Sequence, residues 1–336
     1  MAKKNKSVPR EPRGHTWVKL IANPGAGDPS EIASRIEHVI HYLSEAGVKV
    51  DLALAHPKDE AIPIARKAVK KGYDVIVAMG GDGTIGAVIR GMAGSKVKLG
   101  IIAAGTENDI AGSLGIPDDL KEACALIASG QTRKLDLGVI STRKTKKFYF
   151  FNMSAIGLTA TIFPMIKEVP EGKLSGIKDA VATLFKFDPK PKIFLTLDDE
   201  SQIEVESMLV TIANTPITGA KNLVAPDASM EDGLLDIAVY PGFSKAEVLS
   251  YFARTAHERE IPDGTIQRYL ARKIKIKTSP KLDVAAEGIL LGKGTARITV
   301  LPGALRVLAP EPGSGAEKPI EKTTEKLPEP VSPLSR

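Results

Sequence analysis

Residues 74–94 read DVIVAMGGDGTIGAVIRGMAG. The run VIVAM is unbroken and apolar, short enough to be a strand buried on both faces, and it stops at a Gly-Gly pair. From Thr84 the apolar residues change to helical spacing, and Gly94 follows as a stop. Strand, glycine turn and helix form one unit of a parallel sheet. The neighbours repeat that unit. Upstream, WVKLIANP (17–24) is an apolar run ending in a turn. SEIASRIEHVIHYLSEAG (30–47) places Ile32, Ile36, Val39, Ile40 and Leu43 on one helical face. VKVDLALA (48–55) reads as a strand and EAIPIARKAVKKG (60–72) as a helix. Downstream, KLGIIAAG (98–105) is a strand and DLKEACALIASG (119–130) a helix. Alternation of this kind predicts an α/β domain with a doubly wound parallel sheet over residues 17–133.

From Lys134 the rhythm changes. KLDLGVI, KFYFFNMSAIG, KIFLTL, QIEVESMLVTIAN, LLDIAVY, KIKIKT, ARITVL and ALRVLAP are short β-type runs between Gly, Pro, Asp and Asn. They predict a mostly antiparallel β-sandwich over residues 134–310, with helices at 173–186 and 244–257 and a last strand free to return to the first domain. Residues 1–16 carry Lys3, Lys4, Lys6, Arg10 and Arg13 against Glu11 alone. Residues 311–336 are rich in Pro, Glu, Lys and Ser. Both ends have too little apolar surface to offset their ordering entropy and read as disordered.

Composition narrows the classes. The chain has 336 residues, 43% of them hydrophobic and 26% charged, as in soluble globular proteins. A net charge of +6 suits a protein that meets phosphates, and is too small for a nucleic-acid-coating surface. One cysteine, Cys124, excludes a disulfide framework or a thiolate metal cluster. No apolar run is long enough to span a bilayer, and none at the N-terminus resembles a signal peptide. The expectation is a cytoplasmic protein whose charge suits phosphates or an anionic surface, with a homodimer among the allowed assemblies.

Three glycine turns fall at strand ends on one edge of the parallel sheet: Asn23-Pro24-Gly25-Ala26-Gly27, Gly80-Gly81-Asp82-Gly83-Thr84 and Gly105-Thr106-Glu107-Asn108-Asp109. Open α/β sheets bind ligands at that edge, and free amides at a glycine turn and helix N-terminus attract an anion. The absence of Gly-Lys-Ser/Thr excludes a P-loop. Taken singly, GGDGT also reads as a tight turn with Asp82 as a helix cap. His38 and His41 lack partners at metal-site spacing. Arg143, Lys144, Lys146 and Lys147 form a basic run between two strands, which reads as a solvated turn or as a contribution to holding anionic lipid.

NPGAG, GGDGT and GTENDIAGSLGIP, followed by FNMSAIGLTATI (151–162), APDAS (225–229), DGLLD (232–236) and LPGALRVLAP (301–310), resemble the diacylglycerol kinase superfamily over residues 17–310. The bacterial lipid kinases and sphingosine kinases are the nearest in pattern. NAD kinases and phosphofructokinases share GGDGT but not the later motifs. The resemblance implies ATP- and Mg²⁺-dependent transfer of a phosphoryl group to diacylglycerol or a similar lipid alcohol. It places ATP over Asn23, Gly80, Gly81, Asp82, Gly83, Thr84, Thr106 and Asn108. It places Mg²⁺ on Asp232 with the carbonyls of Ser229 and Leu234. Family members carry Asp-Gly-Glu before LPGAL, the glutamate taking the proton. Here the three positions hold Glu287, Gly288 and Ile289. Two outcomes follow: Glu287 serves as the base beside Asp82, or catalysis is weakened or lost. Where some members have a threonine after the second strand, this chain has Ala55-His56. Phe163-Pro164-Met165-Ile166, with Val169-Pro170 and Leu174, reads equally as a lipid-accepting lip or as a core helix. The rival function is an NAD-kinase-like kinase with a water-soluble acceptor.

Overall fold

The computed structural model describes residues 16–27, 30–161, 191–218, 222–248 and 266–312. The lip at 163–174, the helix at 173–186 and most of the helix at 244–257 lie outside the described residues, as do nearly all of both terminal segments.

The first half alternates β1 (Trp17–Ala22), α1 (Ile32–Glu45), β2 (Lys49–Leu54), α2 (Ala61–Lys71), β3 (Val75–Gly80), α3 (Asp82–Met92), β4 (Lys98–Ala103), α4 (Asp109–Ser113) and α5 (Leu120–Ser129). The strands lie in the order β2-β1-β3-β4 and pair in parallel. β3 is buried at every position because both its faces are covered. Ile76 and Ala78 pack with Ala65, Ala68, Ile85 and Ile89 on the α2–α3 side. Val75, Val77 and Met79 pack with Ile36, Val39, Leu43 and Ile127 on the α1–α5 side. The period-2 strand thus feeds two separate cores, and the sheet is doubly wound. Ile32, Ile36, Val39 and Leu43 are buried as their spacing predicts, with Ile40 half-buried. Strand order reverses between β1 and β3, so a crevice opens at their carboxyl ends.

The second half holds β5 (Thr132–Thr142), β6 (Phe148–Phe150), β7 (Met153–Gly157), β8 (Lys192–Leu197), β9 (Ser201–Ala213), β10 (Ile217–Thr218), β11 (Asn222–Leu223), β12 (Leu235–Pro241), β13 (Gln267–Ala271), β14 (Lys273–Ser279), β15 (Asp283–Ala286), β16 (Ile289–Lys293) and β17 (Ala296–Leu308). Apart from the parallel return of β17 to β4, these strands pair antiparallel. β9 passes from β8 in its first half to β7 and β12 in its second, which joins the two layers of a sandwich. Alternate residues of β14, Ile274 and Ile276, face the core while Lys273, Lys275 and Lys277 face water.

ARITVL and ALRVLAP, read above as two strands, are one. β17 continues through Pro302-Gly303, where its register on β5 shifts between Leu301 and Leu305. Beyond that bulge Arg306 and Val307 pair in parallel with Lys98 and Leu99 of β4. Together β5 and β17 carry one continuous sheet from the parallel half into the antiparallel half. Gly138 in β5 has a packing reason. A methyl group there would meet the Phe150 ring at 2.0 Å, because the ring lies flat over the glycine from the paired strand. Gly138→Ala is expected to destabilise the fold by about 1–3 kcal/mol through overpacking. Urea denaturation checks this, and an unchanged midpoint would mean that the ring does not rest there.

Candidate active site

The three glycine loops converge at the carboxyl ends of β1, β3 and β4 and are bonded to one another. Asn23 links the first two. Its backbone N–H donates to the Met79 carbonyl (3.0 Å), its Oδ1 accepts from Gly25 N–H (3.0 Å), and its Nδ2 donates to Thr84 Oγ1 (3.2 Å). The glycines serve this packing directly. A methyl on Gly105 would lie 2.4 Å from the Gly81 Cα, and one on Gly80 2.8 Å from the Thr84 Cβ. No side chain fits between these loops.

Asp82 stands in the first turn of α3, yet its carboxylate turns to the next loop. Oδ1 accepts from Ile110 N–H (2.8 Å) and Oδ2 from Asp109 N–H (3.1 Å), the first amides of α4. Carboxylate oxygens of Asp82, Glu107 and Asp109 lie within 4.8 Å of one another. Asn108 adopts a left-handed conformation (φ +54°) and spans its own loop, accepting from Gly105 N–H and donating to the Gly105 carbonyl at 2.9 Å each. Its carboxamide therefore shapes the loop, while Thr106 stands exposed at the crest.

Asp109 belongs to the third glycine turn, where the sequence assigns it no role, and it is buried. A second residue at this site, Lys58, carries no sequence signal. Lys58, in the short loop between β2 and α2, lies across the first turn of α3. A methyl on Gly83 would be 3.0 Å from its Cδ and 3.3 Å from its Nζ. Among the described residues no carboxylate pairs with Lys58. His56 of the same loop lies against Gly25.

The β half contributes a second group, centred on Asp136, which the sequence reading passed over. Asp136 is 2% exposed. Its Oδ2 accepts from Gly233 N–H and its Oδ1 from Gly303 N–H, both at 2.7 Å, and its own N–H donates to the Met230 carbonyl. It thereby ties DGLL and the β17 bulge to β5. Asp232 accepts from Leu234 N–H (2.9 Å), and Ser229 Oγ accepts from Glu231 N–H (3.3 Å). Burial pushes the Asp136 carboxyl up, the two backbone bonds offset part of this, and the charges of Asp232 and Glu231 add to it. Asp236 is pushed up to about 6, first by burial and then by Asp232 and Asp227, with Arg268 opposing. Mutually repelling carboxylates such as these are hard-oxygen donors, the chemistry that Mg²⁺ takes.

The raised Asp236 value has a definite sign. Its folded pKa lies above the ordinary 3.8, so its charged form is disfavoured in the fold, and stability is lost as pH rises through about 6. Asp236→Asn is expected to stabilise the metal-free protein above pH 6 and to have little effect below pH 3.8. Thermal melts across that range check it; an equal shift at all pH values would contradict the assignment.

Glu287 and Gly288 form the turn between β15 and β16, both with positive φ (+53° and +74°), as a two-residue hairpin requires. Glu287 Oε1 accepts from Phe151 N–H (2.8 Å) and Asn152 N–H (2.7 Å). The Asn152 carbonyl accepts from Asn214 N–H, and Asn214 Nδ2 donates to the carbonyls of Phe151 and Asp136. One hydrogen-bonded chain thus runs from Glu287 to the DGLL loop. Across from it, Arg90 of α3 lies 5.1 Å over the Phe148 ring and 3.6 Å from Asp59. Burial lowers the Arg90 pKa, and the charges of Glu287 and Asp59 oppose that shift. Ile289, two residues past Glu287, is exposed. Cys124 is packed under α1, its thiol pushed up to about 11 by burial.

Residues 17–140 match the diacylglycerol kinase catalytic domain, and residues 158–309 match the YegS C-terminal NAD kinase beta sandwich-like domain. The two matches leave residues 141–157 between them and together cover most of the folded chain. The chain belongs to the diacylglycerol kinase family. Among relatives, a diacylglycerol kinase of Mycobacterium tuberculosis is 28% identical over 299 residues, 88% of this chain and 96% of its own. A diacylglycerol kinase of Bacillus subtilis is 28% identical over 279 residues, 81% of this chain and 89% of its own. The fold of a diacylglycerol kinase from Bacillus anthracis superposes with a TM-score of 0.69 at 21% identity, covering 89% of this chain and 99% of that one. An NAD kinase from Archaeoglobus fulgidus in complex with ATP shares the fold more distantly, with a TM-score of 0.51 at 13% identity and 88% and 94% coverage. No described helix is long and apolar enough to cross a membrane.

Proposed function

We propose that this chain is an ATP- and Mg²⁺-dependent lipid kinase that transfers the γ-phosphoryl group to the hydroxyl of diacylglycerol or a similar lipid alcohol, acting at the membrane surface from the cytoplasm. Family membership supports a lipid kinase. The observation that carries the nucleotide assignment is the three-loop junction, where Asp82 holds the amide-bearing ends of two loops at one crevice. The uncapped first turn of α3 and the Lys58 ammonium offer donors and positive charge to a phosphate chain. Residues 17–133 would carry ATP and residues 134–310 the acceptor.

Mg²⁺ would be held by Asp232 with the Ser229 and Leu234 carbonyls, or by Asp82 with Glu107 and Asp109. When bound, it would neutralise charge on the transferring phosphate. Asn23, Gly80 to Thr84, Thr106 and Asn108 line or shape the nucleotide face. Glu287, held in orientation by the Phe151 and Asn152 amides, is the carboxylate proposed to accept the hydroxyl proton.

A second reading has its own observation. Glu287 already serves as the anchor of its turn, and Ile289 at the family's acceptor position takes no proton, which favours a nucleotide- or lipid-binding relative with slow turnover. Glu287→Gln separates the two, because the amide oxygen still accepts both N–H bonds while the charge is gone. A base predicts a fall in kcat of about 10²–10³-fold with ATP affinity unchanged. A turn anchor alone predicts little change in kcat.

The acceptor class is tested by ADP release. ADP is expected to appear only when a dispersed lipid alcohol is supplied. Release driven by NAD or another soluble acceptor, with lipid inert, would favour the small-molecule kinase.

A further inference from the structure

The basic run 143–147 does not stand alone on the surface. It is fastened to the edge strand β16, where Thr142 Oγ1 and Thr145 Oγ1 both donate to the Leu291 carbonyl, at 2.6 and 2.9 Å. A methyl on Gly292 would touch Thr142 Oγ1 at 2.8 Å and Lys144 Cβ at 3.5 Å, so turn and strand are in close contact. The turn exposes Arg143, Lys144, Lys146 and Lys147. Lys147 lies 4.6 Å over the Tyr149 ring. Among the described residues no carboxylate pairs with Arg143, Lys144 or Lys146. The strand exposes Ile289 and Leu290, at 38% and 49%. These two begin the strand directly after the Glu287-Gly288 turn, whose carboxylate acts on Arg90 of α3.

We infer that the β5–β6 turn and the start of β16 form a docking face for an anionic lipid surface, in which Ile289 and Leu290 enter the acyl boundary and Arg143, Lys144 and Lys146 meet the headgroup phosphates. Unpaired cations beside an edge strand that exposes branched apolar side chains match both parts of such a surface. Nucleic acid offers a partner for the cations and none for the apolar pair. The face adjoins the turn that carries Glu287, so docking would set the cleft against the bilayer. The docking itself is a binding property; only its use in catalysis rests on the lipid-kinase reading.

Cosedimentation of the full chain with phosphatidylcholine vesicles, with and without phosphatidylglycerol, tests it in the absence of nucleotide. The variant Arg143→Ser/Lys144→Ser/Lys146→Ser is expected to lose about fivefold in binding to the anionic vesicles per charge removed at low salt, and little at high salt. Leu290→Ser is expected to lose about tenfold at both. Wild-type binding by both variants would overturn the proposal, as would a Leu290→Ser protein that changes its sedimenting mass but not its vesicle binding, which would mark a contact between copies. ADP release on a dispersed short-chain lipid alcohol separates the two claims. The triple variant should match wild type there, and absence of release in both, with vesicle binding altered as expected, would defeat the kinase reading while the docking face stood.

Discussion

Replacing Asp82 by alanine is expected to lower kcat/KM by about 10³-fold or more while costing only about 1–2 kcal/mol of stability. Two roles meet in that carboxylate. It caps the first amides of α4 through Ile110 N–H and Asp109 N–H, and it contributes one of three clustered carboxylates. Asp82→Asn separates them. The carboxamide oxygen can still cap one amide, so half the structural role survives. The charge and the second oxygen that could reach a cation do not. If capping were the whole of the role, the asparagine protein would recover most of the activity. It is expected to stay close to the alanine protein. Steady-state kinetics with thermal melts measure both, and a fully active Asp82→Ala enzyme would remove the nucleotide loop from the account.

The second large effect is at Asp136. Asp136→Ala leaves the buried Gly233 amide without an acceptor, at about 1–3 kcal/mol, and removes the bond to the Gly303 amide, whose residue is exposed, at about 1 kcal/mol. The expected loss is about 2–4 kcal/mol, a fall in Tm of roughly 6 °C for a chain of this size. Asp136→Asn should lose less, since its single oxygen can serve one of the two amides. Because Gly233 adjoins Asp232, both variants should also raise the Mg²⁺ concentration needed for half-maximal activity. Calorimetric melts and a Mg²⁺ titration read the two effects. A stable Asp136→Ala protein with normal Mg²⁺ dependence would separate DGLL from the β5–β17 junction.

The parallel half was legible because burial there leaves a one-dimensional trace. VIVAM is apolar throughout since both faces of β3 are covered, and the α1 stripe reappears as buried Ile32, Ile36, Val39 and Leu43. β13, β15 and β16 escaped notice. β13 is largely exposed, and β15 and β16 are too short for alternation to register. The continuity of β17 was hidden by Pro302-Gly303, which reads as a break and acts as a bulge.

Within the site, loop positions were legible from glycine, whereas the work of particular side chains was not. GGDGT marks the turn, yet nothing in it says that Asp82 reaches across to α4 or that Asn108 is spent on Gly105. Asp136 looks like an ordinary strand residue until Gly233 and Gly303, distant in sequence, are seen to converge on it. Lys58 is found only because the fold lays it over Gly83. Such contacts depend on tertiary proximity, which spacing does not encode.

The measurement that bears most directly on the whole account is an incubation of the purified protein with γ-labelled ATP, Mg²⁺ and mixed lipid vesicles, followed by organic extraction and chromatography. Label is expected in the organic phase, with the mobility of a phosphorylated lipid alcohol, and none there with Asp82→Ala. Label confined to the aqueous phase, in a protein that binds ATP by calorimetry, would contradict it.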